Sequence, residues 1–113
     1  FTESGRYSKE IQVYGLRWKL FMRKRSASPY LEVYLVLCTH DSGTWSVDVS
    51  AQFTLENEGD KGYPSIESET TLRQGHTRMG FEDFILWEDL IDEEKVNSCV
   101  HVYNQNIQLL CSQ

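Results

Sequence analysis

Apolar and polar positions alternate along most of this chain with the two-residue period of β-strands. In Tyr30–His40 the residues Leu31, Val33, Leu35 and Leu37 fall on one side, and Glu32, Tyr34, Val36 and Cys38 on the other. Both sides are largely apolar, which predicts a central strand, or one with core on one face and a binding surface on the other. Trp45, Val47, Val49, Ala51, Phe53 and Leu55 alternate strictly with Ser46, Asp48, Ser50, Gln52, Thr54 and Glu56, a half-buried strand. Ile11 to Tyr14 alternates, Gly15 interrupts, and Leu16, Trp18 and Leu20 then share one face of Leu16–Met22. Two strands, or one strand bulged at Gly15, fit this pattern equally.

Ser65–Gln74 alternates weakly, with Ile66 and Leu72 as its apolar points, and reads as an edge strand. Cys99–Tyr103 forms a further strand on Val100 and Val102, and Ile107, Leu109 and Leu110 offer another within Asn104–Gln113. The segments 1–10, 23–29, 41–43, 57–64 and 92–94 read as loops or turns. Gly75–Leu90, GHTRMGFEDFILWEDL, is the densest stretch: a loop leading into a short buried element, with helical character only in Glu82–Leu90. Phe84, Ile85 and Leu90 read as its anchors to the core, and Trp87 as either core or rim. Seven or so short strands separated by turn signals predict an antiparallel β-sandwich.

A length of 113 residues suits one domain burying about two-thirds of its unfolded surface. The net charge of −6 argues against a nucleic-acid partner, because phosphate binding needs a basic face. Charge is uneven, with seven Lys or Arg against two Glu in residues 1–25, which leaves 26–113 at −11. The run Arg23-Lys24-Arg25 reads as a solvated hairpin end. No apolar run approaches the roughly 18–20 residues of a membrane span, so no membrane partner is expected. The chain begins at Phe1 without a Met and reads as a fragment. Three cysteines, Cys38, Cys99 and Cys111, are expected as reduced thiols of a cytoplasmic or nuclear protein.

Candidate chemistry is sparse. Cys38-Thr39-His40 and Cys99-Val100-His101 could in principle converge on zinc, but zinc ligands usually sit at turn spacing, so no metal is expected. Neither cysteine has the glycine-rich elbow of a thiol nucleophile. Glu88, Asp89, Asp92, Glu93 and Glu94 lack the alternate spacing and central glycine of a helical calcium loop. No catalytic residue and no cofactor are expected. The aromatics lead further: Tyr34, opposite the leucine face of its strand, would form with Met79 and Phe81 a groove for an extended peptide. The alternative is a Tyr34 covered by a loop and a Phe81 in the core.

Gly15-x-x-Trp18, YLEVYLVL at 30–37, the long alternating strand ending in Asn57, and RQGHTRMGFEDFI at 73–85 resemble, in this order, the MATH domain (meprin and TRAF homology). The similarity covers Gly15 to Tyr103. It implies an all-β, TRAF-like sandwich of seven to eight strands with one short helix, spanning 1–113 as a single domain. The family's first strand would be cut away, with 104–113 as a C-terminal extension. It further implies a non-catalytic module that binds short linear motifs, as in the MATH-BTB adaptors of cullin ubiquitin ligases. By position, the groove residues would be Tyr34, Ala51, Thr70, Thr77, Arg78, Met79, Gly80 and Phe81. Tyr34 and Phe81 would give apolar contact, Gly80 close approach of the partner's backbone, and Thr77 and Arg78 hydrogen-bond donors. Met79, Ala51 and Thr70 stand where the speckle-type adaptors carry aromatics, which implies a different motif or weaker binding. Self-association, as in the TRAF and meprin branches, or targeting of a linked deubiquitinating protease are the alternatives.

Overall fold

The computed structural model describes residues 5–13, 15–38, 43–56, 65–88, 99–104 and 107–112. Within them the chain forms nine strands: β1 (Arg6–Tyr7), β2 (Ile11–Val13), β3 (Leu16–Lys24), β4 (Tyr30–Cys38), β5 (Ser46–Glu56), β6 (Ser65–Arg73), β7 (Arg78–Leu86), β8 (Cys99–Asn104) and β9 (Ile107–Ser112). All pairings are antiparallel. One sheet runs β1-β3-β4-β7, with β2 also on β3, and the other runs β6-β5-β8-β9. The predicted sandwich is therefore present, and β6 lies at an edge as its weak alternation implied.

The side chains of both inner faces merge into one core. Trp18, Leu20 and Met22 of β3 and the four alternating leucine and valine side chains of β4 meet Val49, Ala51 and Phe53 of β5. The Phe53 ring packs edge-on against Phe81 at a centroid distance of 5.4 Å, so β5 and β7 are locked across the two sheets. Each such fully buried side chain contributes roughly 1.5–3 kcal/mol of apolar transfer, which is why the alternating positions dictate the fold.

Two elements differ from the sequence reading, and a third settles an alternative that it left open. Residues 1–10 hold a short strand, because Arg6 and Tyr7 pair with Met22 and Phe21 along the free edge of β3. Gly15 separates two strands, as Val13↔Leu16 closes a tight hairpin. Glu82–Leu86 is strand rather than helix, and helical backbone begins only at Trp87 and Glu88. The cause is a bulge. Val33 faces Phe81 while Leu31 faces Ile85, so β7 spends three residues where β4 spends only Glu32. Alternation is broken there, and Phe84 and Ile85 are both buried. The Trp87 amide then donates to the Pro29 carbonyl at 2.8 Å, and Trp87 packs half-buried against the core. Asn104–Gln113 supplies β9, which pairs with β8 over Ile107–Ser112. The calcium and acidic-loop readings at 89–94, with Leu90, fall outside the described residues.

Candidate functional site

The outer face of the first sheet carries rows fixed by register. Lys19, Val36 and Arg78 form one row, Phe21, Tyr34 and Gly80 the next, and Arg23 lies opposite Glu32 in the third. Tyr7 extends the aromatic row through its pairing with Phe21, at 4.6 Å between ring centroids, and Phe21 stacks on Tyr34 at 6.4 Å. Cations roof these rings: Lys19 Nζ lies 4.1 Å from the Tyr7 centroid, Arg23 Cζ 5.5 Å from that of Phe21, and Arg78 Cζ 4.5 Å from that of Tyr34. Cations at these distances are held by the ring quadrupoles, so their heads are oriented before any partner arrives.

Glu32 is only 1% exposed, which obliges it to find partners. Its Oε1 accepts from the Tyr34 hydroxyl at 2.8 Å and from Arg23 Nη2 at 3.2 Å. Arg25 Nε lies 2.6 Å from Oε2, which nevertheless takes no directed hydrogen bond. Burial alone would raise the Glu32 carboxyl, but the Tyr34 and Arg23 hydrogen bonds and both arginine charges outweigh it and hold the group below its ordinary range. The run does form a hairpin end, with Arg25 exposed there, but a buried acid recruits both Arg23 and Arg25.

The Tyr34 phenol is pushed up to about 12 by burial first, then by its hydrogen bond to Glu32 and the charges of Glu32 and Glu82, against the lowering effect of Arg78. A group raised in the folded state stabilises the fold below its unfolded value of 10.0 and loses that contribution as pH rises through about 12. Between those limits the wild type should lose about 2–3 kcal/mol more than Tyr34→Phe, measured by denaturant unfolding of both proteins from pH 9 to 12.

The positions predicted for a groove divide between two faces. Tyr34 is 6% exposed, roofed by Arg78, and is not the open aromatic expected of it. Gly80 shares its row, but a Cβ at Gly80 would run into the Val33 carbonyl oxygen, so the close approach it permits is that of β4. Met79 and Phe81 have the opposite parity. Met79 is buried in the core, and Phe81 is half-buried against it. A single wall made of Tyr34, Met79 and Phe81 is therefore excluded by strand alternation. Ala51 is core in β5, and Thr70, opposite Val49, is half-buried on β6. Thr70 also lines a shallow cavity of about 530 Å³ across β5 and β6, a polar surface spanned by the Thr71–Asp48 hydrogen bond of 2.7 Å. Thr77 is half-buried, its carbonyl accepting from the Leu37 amide at 2.8 Å, and Arg78 is exposed.

What brings Thr77 to Phe81 together is the edge. β7 ends its sheet. The Leu37–Thr77 bond sets the alternation of the ladder, so Met79 and Phe81 bond inward while Arg78 and Gly80 direct their N–H and C=O groups away from β4. This edge leads into a second cavity, of about 420 Å³, lined by Arg25, Ser28, Tyr30, Gly80, Phe81, Glu82 and Asp83. Sequence reasoning missed Tyr30, Glu82 and Asp83. Two adjacent acids inside an apolar run, Phe81-Glu-Asp-Phe84, were the available signal.

Cys38 is a free, half-buried thiol whose Sγ lies 3.9 Å from the Val36 carbonyl; burial pushes its ionisation up, against the character of a nucleophile. Cys38 and the Cys99–His101 pair belong to different sheets. Among the described residues no three His, Cys, Asp or Glu side chains cluster as metal ligands.

The model of the MATH domain family matches residues 2–104. The chain belongs to the MATH domain family. The match takes in β1 to β8 and leaves β9 beyond it. No curated protein matches the chain significantly. The MATH domain is a non-catalytic protein-interaction fold, consistent with a partner that is itself protein.

Proposed function

We propose that this MATH domain captures extended segments of other proteins along the β7 edge, as the substrate-recognition part of a cullin ubiquitin-ligase adaptor in the cytoplasm or nucleus, with no chemistry of its own. The observation that carries the reading is the outward N–H and C=O groups of Arg78 and Gly80, at an edge whose inner neighbour Phe81 is only half-buried. A bound segment adds a strand there, with main-chain hydrogen bonds giving affinity and flanking side chains giving selectivity. Arg78, already stacked on Tyr34, presents its guanidinium at low entropic cost. The free Cys38 fits a reducing compartment.

Proline tests the reading, because it removes an N–H that the fold leaves pointing outward and is tolerated on edge strands. Arg78→Pro should bind the best peptide from a synthetic library roughly tenfold more weakly than Arg78→Ala, while the two unfold at similar denaturant concentrations. Equal affinities by fluorescence anisotropy would remove strand addition at β7.

A further inference from the structure

The bulge that breaks alternation in β7 also builds a pocket. Because three residues of β7 stand opposite Glu32, Phe84 turns into the core while Glu82 and Asp83 are both exposed, two successive carboxylates on the rim of the 420 Å³ cavity. The far wall is the β3–β4 turn, with Arg25, Ser28 and Tyr30, and the half-buried Phe81 adds an aromatic side. Two polar groups of that wall are already engaged. Arg25 Nε lies 2.6 Å from the Glu32 carboxylate, and the Ser28 hydroxyl accepts from the Tyr30 amide at 3.2 Å. Glu82 and Asp83 have no ion-pair partner among the described residues. The cavity therefore presents two unmatched negative charges beside two aromatic rings, at the point where the outward amides of Arg78 and Gly80 end.

Resting on the edge-strand reading above, we propose that this cavity is the specificity pocket of the site and takes a lysine or arginine side chain of the bound segment. The carboxylates satisfy the cationic head, and Tyr30 and Phe81 offer apolar surface to its aliphatic stem. An acidic side chain at that position would face Glu82 and Asp83 without a free cation to answer it, since Arg25 is held by Glu32. The field of the chain works the same way, because its net charge is −6.

The test is a positional-scanning library of immobilised nonapeptides probed with the purified domain. Wild type should favour Lys or Arg at one position by roughly three- to tenfold over Ala, with the preference weakening as salt rises. The double variant Glu82→Gln/Asp83→Asn should lose the preference while still binding, and Glu82→Lys/Asp83→Lys should reverse it towards Asp and Glu. Both side chains are exposed, so thermal unfolding should barely move. Peptides bound without a basic preference, or a preference unchanged in both variants, would overturn the pocket and leave strand addition standing. Failure of the wild type to bind any peptide would overturn both.

Discussion

Glu32→Ala is expected to lower the unfolding free energy by about 3 kcal/mol at neutral pH. Three groups lose their partner at once: the Tyr34 hydroxyl, Arg23 Nη2 and Arg25 Nε. Removing one member of a fully buried pair costs roughly 3–5 kcal/mol, because the other charge stays desolvated. The arginine side chains are 26% and 47% exposed, so water recovers part of that and the expectation sits at the low end. The cavity left by the carboxylate and the stranded Tyr34 hydroxyl add to it. The effect must also depend on pH in a fixed direction. The folded Glu32 carboxyl titrates below its ordinary 4.5, so its contribution is complete above that value and disappears as pH falls through the lower folded one. Denaturant unfolding of wild type and Glu32→Ala should differ fully at pH 7, and the difference should narrow as pH falls below 4.5. A double-mutant cycle with Tyr34→Phe should show coupling of about 1 kcal/mol, since the two share one hydrogen bond.

This buried ionic cluster was beyond the reach of periodicity for a definable reason. Alternation told that Glu32 and Tyr34 share a face, and the sheet agrees, but what covers that face depends on register with β3 and on the reach of Arg23 and Arg25. Where burial follows one strand's own pattern, as in Val49, Ala51 and Phe53, the sequence was a sufficient guide to the core. The helical expectation for Glu82–Leu90 holds among the described residues only at Trp87 and Glu88, and it fails over Glu82–Leu86 for a related cause. Phe81, Phe84 and Ile85 stand at i, i+3 and i+4, the spacing of one helix face, and the β7 bulge produces the same spacing in an extended chain. A two-residue strand such as Arg6–Tyr7 has no period to detect. The candidate site suffered most. Family correspondence pointed to Thr77 to Phe81, which the fold places at the start of β7, but parity divides its members between the inner and outer faces, and the acids of the bulge lie beside a turn about 55 residues earlier.

Gly80→Ala separates the two roles that a glycine in this strand could have. If its missing side chain served only the approach of a partner, the variant would fold normally and lose binding. The geometry assigns the space to β4 instead: an added Cβ would collide with the Val33 carbonyl oxygen and lie 2.7 Å from the Tyr34 Cα, both backbone atoms that cannot rotate away. Relief requires β7 to move off β4, which would disturb the Phe53–Phe81 contact and the Tyr34–Arg78 stack on the two faces of the same strand. The expected cost is about 3 kcal/mol, at the upper end for overpacking because no side chain can yield. Gly75→Ala provides the comparison. Gly75 has a φ of 84° in the turn before β7, with nothing within 4 Å of the added Cβ, so only the conformational preference is lost, about 1 kcal/mol. Denaturant unfolding should therefore rank Gly80→Ala well below Gly75→Ala. Equal stability of the two would mean that β4 and β7 can part without cost, and that the edge presented by Arg78 and Gly80 is not held rigid by the sheet behind it.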